Sequence, residues 1–192
     1  MKKSTTFIIA GIVLILIIGI VLITTNMVKK SEKTQVLLET NYGNIILELR
    51  NDQPITAGNF KSLVEKKVYD GVIFHIIIPG FMIQGGDPTG TGYGDPRIPK
   101  IKDEFNGIQK NDRTTIAMAN AGPNTGSSQF FINLVNNNFL DNKHPVFGQV
   151  IQGMDVVDKI AAVQTDSNDK PLSEVKIIKA SVISWRSCFA EL

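Results

Sequence analysis

Apolar positions in this chain fall first into one unbroken block and then into many short runs. From Phe7 to Ile23 every residue is apolar or glycine, and Thr24 and Thr25 extend the block. At about 1.5 Å per residue, a helix of that length nearly crosses a hydrocarbon core of about 30 Å. Lys2 and Lys3 precede it, and Lys29, Lys30 and Lys33 follow. The block exceeds a usual signal-peptide core, and no Ala-x-Ala-like site comes after it. The expectation is a short tail over 1–6 and a single transmembrane anchor over 7–25, with a cleavable signal peptide as the alternative. Flanking lysines nearly balance, so the positive-inside count gives little orientation. A short N-terminal tail before the anchor, with the folded domain after it, places that domain outside the cytoplasm.

Residues 26–34 read as a polar linker. Gln35–Thr40 and Asn44–Leu49 then flank Asn41-Tyr42-Gly43, the pattern of a β-hairpin. Pro54 suits a first helical turn, and Phe60, Leu63 and Val64 recur at helical spacing within Thr56–Lys67. That helix is expected to cover a barrel end. Val72 to Ile78 is an apolar, β-branched run broken by Pro79-Gly80. Phe81-Met82-Ile83 follows and ends at Gln84-Gly85-Gly86, where paired glycines signal a bulge or a close backbone approach. Thr114–Met118, Gln129–Leu134, Val146–Ile151 and Val175–Ile183 read as further strands. Met154–Ala162 reads as a second short helix.

Many short strands with only two helices predict a mainly β fold. The expected form is a closed antiparallel β-barrel capped by two α-helices over 35–184, preceded by the transmembrane helix. A tail over 185–192 shows no pattern.

Composition removes several function classes. Net charge is +2, so no basic face for nucleic acid is implied. One cysteine, Cys188, and two histidines, His75 and His144, exclude an internal disulfide and a Cys-based zinc cluster. Neither a metal nor a cofactor is called for. Gly90-Thr91-Gly92-Tyr93-Gly94 lacks the Gly-x-Gly-x-x-Gly spacing and the Gly-Lys-Ser/Thr ending of phosphate loops. His75, inside the apolar run, reads as a hydrogen-bonded core histidine.

Four blocks carry a more specific signal. They are Val72 to Asp87, Met118 to Thr125, Gly126 to Ile132, and Phe139-Leu140-Asp141-Asn142-Lys143-His144-Pro145-Val146-Phe147-Gly148. In this order they resemble the cyclophilin family of peptidyl-prolyl isomerases, over roughly Thr34 to Ser184. The resemblance implies the capped barrel independently of the strand pattern. It also implies a proline pocket of Phe81, Met82, Phe131 and Leu140, and a groove for substrate backbone made by Gln84, Ala119, Asn120 and Gln129. His144 matches the family's pocket-edge histidine. Phe81, Gln84, Asn120 and His144 are the implied catalytic set. Asn120 and Gln129 could instead serve only to satisfy buried backbone groups. Phe139, counted with the substrate-binding residues, stands where many members carry Trp, and the missing indole N–H puts cyclosporin binding in doubt more than isomerisation.

The chemistry agrees with these residue types. Rotation about an X-Pro bond faces a barrier of roughly 18–20 kcal/mol, although its two isomers differ by only about 0.5–1 kcal/mol. Catalysis needs an apolar seat for the ring and hydrogen bonds favouring the twisted amide, not a nucleophile or a metal. One position departs from the family pattern: Ile76 stands where cyclophilins carry an Arg assigned to the prolyl amide. Losing such a donor costs about 10²–10³ in rate. Two functions follow as expectations: a membrane-anchored isomerase assisting folding, with weakened turnover, or a non-catalytic module binding proline-containing polypeptides.

Overall fold

The computed structural model describes residues 33–107 and 109–183. The expected anchor at 7–25, the N-terminal tail, nearly all of the linker and the 185–192 tail lie outside the described residues. Among the described residues no helix is long and apolar enough to cross a membrane.

Among the described residues eight strands form one antiparallel sheet. They are β1 (Gln35–Thr40), β2 (Gly43–Leu49), β3 (Phe74–Ile78), β4 (Met82–Gly85), β5 (Thr115–Met118), β6 (Phe130–Asn133), β7 (Val146–Gln152) and β8 (Ile177–Ile183). Their spatial order is β3-β4-β6-β5-β7-β2-β1-β8. The barrel, expected as closed, has no eighth ladder. Its edges β3 and β8 meet just outside both strands, at an isolated Ile73–Lys176 bridge. The Phe74 amide donates to the Val175 carbonyl at 2.8 Å, and Ile177 donates to Val72 at 2.9 Å. The described domain is therefore a half-barrel with a short seam.

Strand alternation explains the core. In β1, Val36, Leu38 and Thr40 are buried while their neighbours are half-exposed. That is the period of two expected when one face packs inward. Helix α1 (Thr56–Glu65) lays Phe60 into this interior, 5.0–5.4 Å from the rings of Tyr69, Phe130 and Phe147. Burying such a ring contributes about 1.5–3 kcal/mol. Helix α1 starts against Glu104, whose buried carboxylate accepts the Ile55 and Thr56 amides at 3.0 Å each. Helix α2 (Met154–Ala161) buries Val156, Val157 and Ile160 in the same core. Gly153 precedes it at φ +86°, where a Cβ would collide with the Asn44 carbonyl.

Two local features turn the sheet towards the site. Gly86 sits at φ +86°, and a Cβ there would lie 2.5 Å from the Ser128 carbonyl. The glycine pair thus marks a close approach, and the bulge lies across the ladder on β3. Phe74 pairs with Gly85 and Ile76 with Gln84, so His75 is the extra residue. Phe74 and Ile76 would otherwise share a face. The bulge leaves Phe74 in the interior and turns Ile76 to the outer face.

Candidate active site

Four adjacent strands are buried on both faces. Ile83, Ile116, Phe130 and Phe147 fill the interior, while their sequence neighbours Met82, Ala117, Phe131 and Val146 form a second cluster outside it. Register sets Phe131, Ala117 and Val146 in one row with Ile76 and Gln84, while Met82 lies beside it, opposite Asn133. Ile76 pairs with Gln84, Gln84 with Phe131, Phe131 with Ala117, and Ala117 with Val146. Ile76, Ile78, Phe81, Ala119 and Leu140 pack against the cluster from its margins.

Above the row lies a groove of about 860 Å³. Of the residues expected at a site, Phe81, Met82, Gln84, Ala119, Asn120, Gln129, Phe131, Leu140 and His144 all line it. Two do not. Phe139 stands outside the wall, 63% exposed, with its ring stacked on Phe81 at 5.8 Å. Ile76 packs beside the cluster without lining the cavity.

One half of the groove is apolar. Phe131 is 3% exposed and meets the His144 ring edge to face at 5.4 Å. His144 Nδ1 lies 3.1 Å from the Met118 carbonyl, an acceptor only, so the neutral ring carries its proton on Nδ1 and leaves Nε2 as an acceptor. The other half is lined by amide side chains. Gln84 Nε2 donates to Gln129 Oε1 at 2.9 Å, and Gln129 Nε2 donates to the Gly92 carbonyl at 2.9 Å. Asn120 Nδ2 donates to the Lys143 carbonyl at 2.8 Å and its Oδ1 accepts the Gly122 amide. Asn120 and Gln129 therefore satisfy backbone groups and line the groove at once. At the rim, Arg97 pairs with Asp95 at 2.6 Å, and its hydrogen bonds hold the Asp95 carboxyl below the usual carboxylate range.

His75 corrects its expectation in one respect. It is buried, and neither ring nitrogen makes a well-formed hydrogen bond, although Gln129 and the Ile73 backbone lie near enough to favour the charged ring. The adjacent Asp87 carboxylate is already occupied by donors of its own loop. Burial pushes the His75 pKa below its ordinary value, against the pull of Asp87.

Sequence reasoning missed a buried amide chain behind the apolar half. Asn137 Nδ2 donates to the Phe81 carbonyl and to Asn133 Oδ1; Asn133 Nδ2 donates to Asn111 Oδ1 and Thr115 Oγ1. The Asn111 amide donates to Asp141, next to Leu140. These residues tie two pocket walls together. The run Asn136-Asn137-Asn138 reads only as a turn, so no signal in the sequence marks Asn137 as buried.

The arrangement offers an apolar seat beside oriented amides. Among the described residues no three His, Cys, Asp or Glu side chains cluster as metal ligands.

Comparison with known proteins identifies the family and the fold. The family profile described as cyclophilin-type peptidyl-prolyl cis-trans isomerase/CLD matches residues 35–182. The chain is 48% identical over 154 residues to peptidyl-prolyl cis-trans isomerase-like 1 of Gibberella zeae, covering 78% of this chain and 95% of that protein. It is 48% identical over 147 residues to peptidyl-prolyl cis-trans isomerase ppi1 of Schizosaccharomyces pombe, covering 74% of this chain and 95% of that protein. A crystal structure of a Cryptosporidium parvum cyclophilin-type isomerase superposes with a TM-score of 0.76 at 36% identity, covering 79% of this chain and 98% of that one. A second structure of that protein, determined in the presence of the dipeptide Ala-Pro, gives 0.74 at 36% identity, covering 78% and 99%.

Proposed function

Because the chain belongs to the cyclophilin-type peptidyl-prolyl cis-trans isomerases, and is an enzyme of that class, we propose that its outer groove seats the proline of a polypeptide substrate. The observation that carries this reading is the cross-strand row Gln84–Phe131–Ala117–Val146, which sets a hydrogen-bonding amide directly beside an apolar floor. The relative determined with Ala-Pro supports a proline peptide as the occupant.

In this mechanism Phe81, Met82, Phe131 and Leu140 hold the pyrrolidine ring. Gln84, Asn120 and Gln129 hold the flanking backbone, and His144 closes the pocket edge. Holding the ring while the preceding carbonyl turns lets binding energy favour the twisted amide, whose barrier is otherwise roughly 18–20 kcal/mol. The prolyl nitrogen gains basicity as conjugation is lost, and a donor there would stabilise it further. Ile76 supplies none, so turnover is weakened relative to a site with Arg at that position. The remaining rate enhancement comes from ring seating and backbone orientation.

The N-terminal apolar block motivates the rest of the proposal: the enzyme is anchored by 7–25 and assists folding at a membrane, with its domain outside the cytoplasm. Exchange spectroscopy on an X-Pro peptide with the full chain in detergent tests the activity. Measurable exchange is expected, and binding without any exchange would reduce the protein to a proline-peptide module. Carbonate extraction and protease protection of membranes carrying the full chain test the anchor and its orientation.

A further inference from the structure

We propose that Asp87, buried behind the groove, is a positioning residue that fixes which way the Gln84 amide faces. This rests on the proposed groove as the place of reaction. Asp87 is fully buried. Its carboxylate accepts the backbone amides of Thr89, Gly92 and Gly94 at 2.9, 2.7 and 3.2 Å, and the hydroxyls of Thr89 and Thr91. Burial raises its pKa, but these donors outweigh it and hold the group below the ordinary carboxylate range. One ionised carboxylate therefore gathers the whole Thr89–Gly94 loop around itself.

That loop presents the Gly92 carbonyl to Gln129. A carbonyl can only accept, so Gln129 must turn Nε2 towards it and Oε1 away. Oε1 then accepts from Gln84 Nε2, which fixes the Gln84 amide in turn. Orientation thus passes in three steps from a buried anion to a side chain of the groove. An Asn at 87 would keep the shape but set an NH2 group against amides that only donate. The Gly92 carbonyl would lose its anchorage, and both glutamines would be free to flip.

The test compares the 15N-labelled full chain with Asp87→Asn by NMR of the Gln84 and Gln129 side-chain NH2 groups. Their protons should exchange with water about fivefold faster in the variant, the worth of one neutral hydrogen bond. Parent-like exchange in folded Asp87→Asn overturns the proposal. Should Asp87→Asn fail to fold, Thr89→Val/Thr91→Val substitutes for it. Both positions are exposed, and there the proposal requires about twofold faster exchange and is overturned by none.

A double-mutant cycle adds a readout that a merely structural role would not move. Asp87→Asn should cost about fivefold in kcat/KM in the parent, and almost nothing in a Gln129→Ala background. Additive losses would sink the relay. Should the parent turn over no proline peptide, the proposed function fails, while amide exchange still decides the positioning role.

Discussion

Ile76 and Gln84 face each other directly across the β3–β4 ladder. Side chains at such positions stand about 4.5–5.5 Å apart at Cβ, on one face of the sheet. They do so only because the bulge at His75 turns Ile76 outward. Position 76 is thus within reach of the groove, yet it carries a side chain with no donor. Ile76→Arg should raise kcat/KM for X-Pro isomerisation by about 10²-fold, the usual worth of a donor aimed at developing charge. Exchange spectroscopy on both proteins checks it. Equal rates would mean that ring seating and backbone orientation account for all the catalysis this site performs.

Phe139 stacks on Phe81 from the solvent side, and its exposure leaves room for a larger ring. Phe139→Trp should leave the melting temperature and the isomerase rate unchanged. The added indole N–H should tighten cyclosporin about fivefold, one hydrogen bond's worth. Calorimetric titration of the two proteins decides it: an unchanged Kd would show that the drug does not reach position 139, and no heat with either protein would show that this groove does not take the drug.

How much of this was legible in the sequence depends on which force acted at each position. The hairpin of β1 and β2 was readable because Asn41-Tyr42-Gly43 is a turn sequence between two apolar runs, and Gly43 takes φ +129° there. The apolar pocket residues were found through their motif blocks, although Phe131 by periodicity alone is one more core phenylalanine. The bulge at His75 was not readable, since both Phe74 and His75 are buried and no glycine marks the extra residue. Asp87 was visible only as the start of a glycine-rich loop, although an Asp that accepts the amide two residues on, as Asp87 does from Thr89, is a known turn former. Nothing local distinguishes an amide that caps a turn from one that crosses the interior, and the Asn111–Asn133–Asn137 chain was invisible for that reason.

That chain gives its own prediction. Asn133 is fully buried, and its removal leaves the Asn137 and Asn111 amide groups each short of a partner. Asn133→Ala should lower the unfolding free energy by about 1–3 kcal/mol in urea titrations. Because Asn137 also holds the Phe81 carbonyl, the affinity for a proline peptide should fall with it. A loss of stability with an unchanged Kd would separate the amide chain from the pocket wall.

His75 makes stability depend on pH in a defined direction. Burial lowers its pKa from an ordinary 6.5; the Asp87 carboxylate, the Gln129 side chain and the Ile73 backbone pull it part of the way back up, and Lys170 adds a smaller push down. In the window below about pH 6.5 the unfolded chain therefore takes up a proton that the folded chain refuses. The stabilisation is complete above that pH and declines as pH falls towards the depressed folded value. The slope for one such group is at most about 1.4 kcal/mol per pH unit. His75→Leu keeps an apolar side chain at the bulge and removes the titration. The difference in unfolding free energy between parent and variant should therefore be constant above about pH 7 and shift against the parent from about pH 6.5 downward. A difference that stays flat to pH 5 would mean that the imidazole finds a partner when it is protonated, with the loop around Asp87 opening to supply one.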